Sequence, residues 1–285
     1  VPSESLNSPE VWEALLHAGG GMPLGALVRN LGKMGAVGLL RPLSEASSTV
    51  ASRLRDADEI RRARLHPIAI LTALRVYASG HGIKGDNRWT PDPRVVDALD
   101  DAFYLAFGNV APTGRRLLIG VDWSGSMEGV QVAPGITAAT AAAAMALVHA
   151  TIEPETFVLC FGTTARPVTL SPSMRLDDVI RVATSQTGEG TDCALPFRYA
   201  RENGLDADGF IVLTDNATWA GREHPIEALR AYRRKSGRGA VAVASAFAAT
   251  VCSILPDDED AGCLNVAGFD AAAPMVVADF LRARS

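Results

Sequence analysis

Asp122, Ser124 and Ser126 alternate in the segment Val121-Asp122-Trp123-Ser124-Gly125-Ser126-Met127, so one carboxylate and two hydroxyls fall within a single short turn. These are hard oxygen donors of the kind that hold Mg²⁺ or Mn²⁺. Asp122 brings the only charge of the three, so a dication bound there draws further oxygen from elsewhere in the chain. Two later segments offer it, Gly188-Glu189-Gly190-Thr191-Asp192 and Phe210-Ile211-Val212-Leu213-Thr214-Asp215. The apolar runs before Asp122 and Asp215 each read as a buried strand that ends in a carboxylate. In open α/β sheets, sites form beyond the carboxyl ends of the strands. The three segments therefore predict one metal site made of Asp122, Ser124, Ser126, Thr191 and Asp215. The bland alternative for the turn is a pair of serines capping the next helix. Trp123 reads either as a surface aromatic beside the metal or as a residue packed against the following helix.

The same residues argue against catalysis. Metal-dependent phosphatases that work through an aspartyl phosphate use a strand-end Asp-x-Asp, and here Ser124 stands in place of the second carboxylate. No His or Glu lies beside the motif as a general base; the nearest, Glu128, falls beyond Ser126. The five histidines (His17, His66, His81, His149 and His224) read as structural, and the chain is expected not to be an enzyme. The four cysteines, Cys160, Cys193, Cys252 and Cys263, form no Cys-x-x-Cys pair, which argues against structural zinc. They fit a reducing, cytoplasmic setting, with Cys193 read as a buried packing residue near the site.

The elements that must position the site occupy the second part of the chain. From Thr113 onward, strands alternate with helices. The candidate strands are 117–122, 156–161, 167–170, 210–215, 240–245 and 264–266. The candidate helices are 137–149, 176–183, 194–203, 225–235 and 274–284. Gly204 and Gly237 stand where helix stops belong. Such alternation implies a mostly parallel sheet covered on both faces, with 167–170 as an antiparallel edge. Residues 1–109 carry helical periodicity only: Val11, Trp12, Leu15 and Leu16 after Ser8-Pro9, then helices opened by Pro23, Pro67 and Pro93. Helices of this length with short turns suggest stacked pairs. The division predicts a helical segment over 1–109 and an α/β domain over 110–285.

Charge follows the same boundary. Residues 1–110 hold 12 Lys/Arg and 12 Asp/Glu, and residues 111–285 hold 15 and 20, so the whole net charge of −5 lies in the second part. Neither part is a generic polyanion binder, and any nucleic-acid contact must come from local clusters. Arg53, Arg55, Arg61, Arg62 and Arg64 form one, and Arg230, Arg233, Arg234, Lys235 and Arg238 another. Both also read as ordinary solvated helix faces, and Asp257-Asp258-Glu259-Asp260 as a solvated loop. No apolar run reaches the length of a membrane span, and no signal peptide is read at the start. The opening Val1-Pro2 in place of Met fits a fragment or a processed product.

The metal-site pattern resembles the metal-ion-dependent adhesion site of von Willebrand factor A domains, with all five positions present in order. The helical part sharpens the resemblance. Leu27-Val28-Arg29-Asn30-Leu31-Gly32-Lys33-Met34, Leu65-His66-Pro67-Ile68, Tyr77-Ala78-Ser79-Gly80-His81-Gly82 and 97–107 are similar to the C-terminal part of the TROVE family of Ro autoantigen-like proteins. That resemblance implies a von Willebrand factor A domain, Rossmann-like with a mostly parallel sheet, preceded by an all-α HEAT-like segment from the end of a ring. It implies a non-catalytic ribonucleoprotein component. Such a protein binds small non-coding Y RNA on the ring and takes single-stranded ends of misfolded RNA through the ring hole, in RNA quality control. A full ring needs more helix pairs than residues 1–109 supply, so Y RNA and other non-coding RNA are expected as partners of the complete ring. Arg29 and Lys33, one turn apart, are the expected phosphate contacts, with Arg61, Arg62 and Arg64 as a second set. The alternative is a von Willebrand factor A protein-binding module whose Mg²⁺ recruits a carboxylate from a protein partner. A generic module has no reason to carry the helical strings.

Overall fold

A computed structural model of the chain describes residues 5–17, 19, 21–83, 86–184, 190–215, 220–247, 254–256, 262–269 and 272–283. The chain divides into two compact units, Val1–Val110 and Ala111–Ser285.

The first unit is helical. It contains α1 (Pro9–His17), α2 (Leu24–Ala36), α3 (Glu45–Leu54), α4 (Ala57–Ala63), α5 (Pro67–Ser79) and α6 (Pro93–Leu105). Its helix starts are written in the sequence. Ser44 accepts a hydrogen bond from the Ser47 amide, Asp56 from those of Asp58 and Glu59, and Asp92 from that of Arg94. These caps satisfy amides that the first turn leaves without partners. Asp56 is what divides the stretch 45–64 into α3 and α4. The core is the apolar face of each helix: Leu27, Leu31 and Met34 on α2, Leu71 and Tyr77 on α5, Leu99 and Phe103 on α6.

The second unit is an α/β sandwich. Its sheet strands are β1 (Arg116–Asp122), β4 (Glu155–Phe161), β5 (Ala165–Val168), β6 (Gly209–Thr214), β7 (Val241–Ala246) and β8 (Cys263–Ala267), in the spatial order β5-β4-β1-β6-β7-β8. Every pairing is parallel except β4 with β5, which is antiparallel. The antiparallel edge expected near 167–170 is therefore present, shifted to 165–168. The helices are α7 (Ser126–Gly129), α8 (Ala138–Ile152), α9 (Leu176–Thr184), α10 (Leu195–Asn203), α11 (Pro225–Ser236) and α12 (Ala273–Ala283). A small ribbon of β2 (Gln131–Ala133) and β3 (Ile136–Thr137) follows α7 and was not among the expected strands. Gly204 and Gly237 end α10 and α11 in left-handed conformation, as expected.

The chain runs from β1 to β4 on one side, then crosses back to place β6 on the other side of β1. The carboxyl ends of β1 and β6 thus flank a topological switch point, where doubly wound sheets open a crevice. Both strands are almost wholly buried, and their apolar runs satisfy backbone polarity through the ladders on each side. One face of the sheet is covered by α10 and α11 through Phe197, Phe210, Leu229 and Tyr232. Gly120, mid-strand in β1, lets α10 come close: a Cβ there would stand 2.6 Å from Pro196 Cγ.

Candidate functional site: the strand-end oxygen cluster

Asp122 is the last residue of β1 and has no solvent exposure. Its Oδ1 accepts a hydrogen bond from the Ser124 amide at 2.9 Å, which bends the chain into the turn. That turn sets the Ser124 and Ser126 hydroxyl oxygens 3.0 Å apart. Asp215 directly follows β6 and is buried. Its negative charge is close enough to act on Asp122. Burial pushes the Asp122 carboxyl up to about 6, hydrogen bonds from Thr214 and Ser124 oppose that, and Asp215 adds repulsion. Thr191 is buried as well. Its carbonyl accepts from the Ala220 amide at 3.1 Å, and the Asp192 amide donates to the Gly162 carbonyl just past β4 at 2.9 Å. The loops after β1, β4 and β6 are thereby drawn to one end of the sheet. Gly188 and Glu189 lie outside the described residues.

The donor set fits a hard dication. Oδ1 of the buried Asp215 has no hydrogen-bond partner. A buried carboxylate oxygen left so is costly unless something positive meets it. Two neighbouring buried carboxylates repel, and a cation between them removes that repulsion. All the available atoms are oxygens, which suits Mg²⁺ or Mn²⁺ over softer metals. Among the described residues no cluster of three His, Cys, Asp or Glu side chains offers another kind of metal site.

Sequence reasoning missed four supports of the site. The Thr214 hydroxyl donates to Asp122 Oδ2 at 2.6 Å. Thr214 sits in an apolar run and reads there as one more strand residue. Asp192 Oδ1 accepts from the Ala194 amide at 3.0 Å, and its Oδ2 faces Arg198 at 3.4 Å. Arg198 and Arg201 both reach Glu223, at 3.4 and 3.0 Å. Gly221 has φ +99°, and a Cβ there would meet the Asp192 carboxylate at 2.6 Å. These contacts tie the 190–194 loop to the 220–223 loop, and no short motif signals them. Trp123 is buried, its side chain among Ala143, Ala146, Val158 and Val179, so the packing alternative holds and it is no surface aromatic. Cys193 is fully buried, as expected.

Comparison with known proteins decides the family. A model described as the Ro60 vWA domain matches residues 116–281, and the TROVE domain model matches residues 1–75. The chain belongs to the Ro60 vWA domain family. It is 44% identical over 285 residues to "RNA-binding protein RO60" of Deinococcus radiodurans and 39% identical over 282 residues to the protein of that name in Caenorhabditis elegans. Each alignment takes in 99% of this chain but only 53% and 43% of the relative, so the chain spans about half the length of these curated relatives. The crystal structure of the Deinococcus radiodurans RO (RSR) protein superposes with a TM-score of 0.91 at 42% identity, over all of this chain and 57% of that one.

In this Ro60-family chain the five cations expected to meet phosphate fall into two groups. Arg29 and Lys33 lie one turn apart on α2, Arg29 exposed and Lys33 half-buried. Arg61, Arg62 and Arg64 are exposed at the end of α4. Arg61 faces Asp58 at 2.6 Å, and Arg64 caps the helix with φ 50°. Among the described residues no helix is long and apolar enough to cross a membrane.

Proposed function

We propose that this chain is part of a non-catalytic, Ro-type RNA-binding protein whose α/β unit carries a divalent cation. The observation that supports RNA binding is the alignment of nearly the whole chain, both units included, with two proteins named RNA-binding protein RO60. The RNA is small non-coding RNA of the Y type, together with single-stranded ends of misfolded RNA. Arg29 and Lys33, then Arg61, Arg62 and Arg64, contact its phosphates, with a HEAT-like arrangement of the helical unit as their scaffold. Contacts of that kind are salt-dependent and largely independent of sequence.

Asp122, Ser124, Ser126, Thr191 and Asp215 would hold Mg²⁺ or Mn²⁺. The unpartnered Asp215 Oδ1 supports this reading. Bound there, the cation would offer positive charge to an oxygen ligand, such as a carboxylate of a protein partner. The chain's own residues shape that position. Thr214 and the Ser124 amide hold the Asp122 carboxylate in place, and the Ala220 amide donates to the Thr191 carbonyl, which ties the Thr191 loop to the segment after β6.

Isothermal calorimetry with MgCl₂ and MnCl₂ tests the metal reading. The unaltered chain is expected to bind one ion, and Asp122→Ala is expected to abolish binding while circular dichroism shows the sheet intact. Unchanged metal affinity in that variant sinks the assignment. Metal-dependent cleavage of RNA or a phosphoester, lost with Asp122→Ala, overturns the non-catalytic reading.

A further inference from the structure

A groove of about 460 Å³ opens in the helical unit between α2, α5 and the segment that follows α5. Its walls are mostly apolar, from Val28, Leu65, Ala73, Val76 and Trp89, with Thr72 and Asn87 as polar members. The indole is firmly seated. Its Nε1 donates to the Tyr77 carbonyl at 2.8 Å, and the Trp89 amide donates to the Gly80 carbonyl at 2.9 Å. The ring lies on α2 where that helix has no side chains. A Cβ at Gly32 would stand 2.7 Å from Trp89 Cη2, and one at Gly35 would stand 2.9 Å from Trp89 Cγ. Arg29 and Lys33 stand on the same groove.

Four arginines of this unit face carboxylates: Arg53 with Glu59, Arg55 with Asp101, Arg61 with Asp58 and Arg94 with Asp92. Arg29 faces none among the described residues, and Lys33 Nζ donates only to the neutral Asn7 amide oxygen, at 2.7 Å. Two uncompensated positive charges therefore flank a cleft of ordinary small-ligand size whose lining is mostly apolar. A nucleotide combines those two features, a flat apolar base and an anionic phosphate.

We infer that this groove takes one unpaired base of a single-stranded RNA, with the adjoining phosphates on Arg29 and Lys33. The inference rests on the RNA-binding reading above and adds a base pocket to it. Bases enter apolar, aromatic sites with little regard to sequence, since every base has a π-face. The groove thus distinguishes an unpaired strand from a duplex, whose bases are stacked inside.

The test uses the full chain at low salt and three probes: a fluorescent single-stranded RNA decamer, inorganic polyphosphate and polyglutamate. Ala73→Phe fills the groove and leaves both cations. It is expected to weaken decamer binding at least about tenfold and to leave polyphosphate binding unchanged. Arg29→Ala with Lys33→Ala is expected to weaken both and to flatten the salt dependence by roughly 1.4 in log–log slope, at about 0.7 per lost phosphate contact on a single strand. As a check that needs no variant, a 5-bromouridine decamer photocrosslinked to the unaltered chain is expected to mark the peptides of α5 and Trp89. Decamer affinity unchanged in a folded Ala73→Phe variant, or crosslinks confined to other peptides, overturns the groove and leaves the RNA-binding reading standing. Polyglutamate binding that matches the decamer and is equally lost in Ala73→Phe assigns the groove to an acidic protein segment and overturns the inference. No decamer binding by the unaltered chain at low salt overturns the inference.

Discussion

At the scale of single residues, Asp122 sets the behaviour of the α/β unit. Its carboxyl is pushed up to about 6, chiefly by burial, from an ordinary aspartate value near 4. The metal-free folded state therefore favours the protonated side chain. Stability from this group is fully present below about pH 4 and is lost as pH rises through about 6. Asn mimics the protonated form and keeps the hydrogen-bonding positions that face Thr214 and the Ser124 amide. In metal-free protein at pH 8, Asp122→Asn is expected to raise stability by roughly 2–3 kcal/mol. The gain should vanish by about pH 4. Urea unfolding at both pH values in the presence of a chelator checks it, and an Asn variant no more stable at pH 8 contradicts the burial argument. The turn itself was legible, because Asp122, Ser124 and Ser126 are close covalent neighbours. The direction of Trp123 was not. A bulky residue inside a polar turn fits either side of the backbone until Ala143, Ala146 and Val179 are known to lie beneath it.

At the scale of elements, β1 depends on Gly120. The strand is buried on both faces, and α10 packs so close that a β-carbon would press on Pro196. Gly120→Ala is expected to cost about 1–3 kcal/mol by overpacking, seen as a lower thermal midpoint. A variant with unchanged midpoint means that α10 can shift away. Elements of this kind were readable where a physical rule marks them. Apolar runs gave the sheet strands to within a residue or two, and Gly204 and Gly237 marked helix ends, whereas the caps Asp56 and Asp92 were not read as such. The ribbon of β2 and β3 escaped because three and two residues carry no periodicity. Thr191 could be named from its glycine-flanked string. The bonds through Asp192, Arg198 and Glu223 that tie its loop to residues 220–223 join segments some 30 residues apart, and no local pattern announces them.

At the scale of the whole molecule, charge and extent set what the chain can do with RNA. All of the net −5 lies in residues 111–285, and the helical part is neutral. Such a balance gives little long-range attraction for a polyanion, so affinity must come from local contacts. Aligned relatives are about twice as long. In parallel titrations at one salt concentration, this chain is expected to bind single-stranded RNA more weakly than the full-length Deinococcus radiodurans relative, by at least about tenfold. Equal affinity means that the aligned half holds the whole binding surface.

The helix α8 has a consequence in time rather than in space. From Ala141 to His149 every residue is buried, and most of them are alanine or other small apolar residues. A helix enclosed on all sides has no face from which it can fray into water. Its mid-helix amides can meet deuterium only when the surrounding unit opens as a whole. In a deuterium-exchange time course the 141–149 peptide should be the slowest clock of the α/β unit, running at the rate of global opening, while the loops around Asp122 and Thr191 exchange long before it.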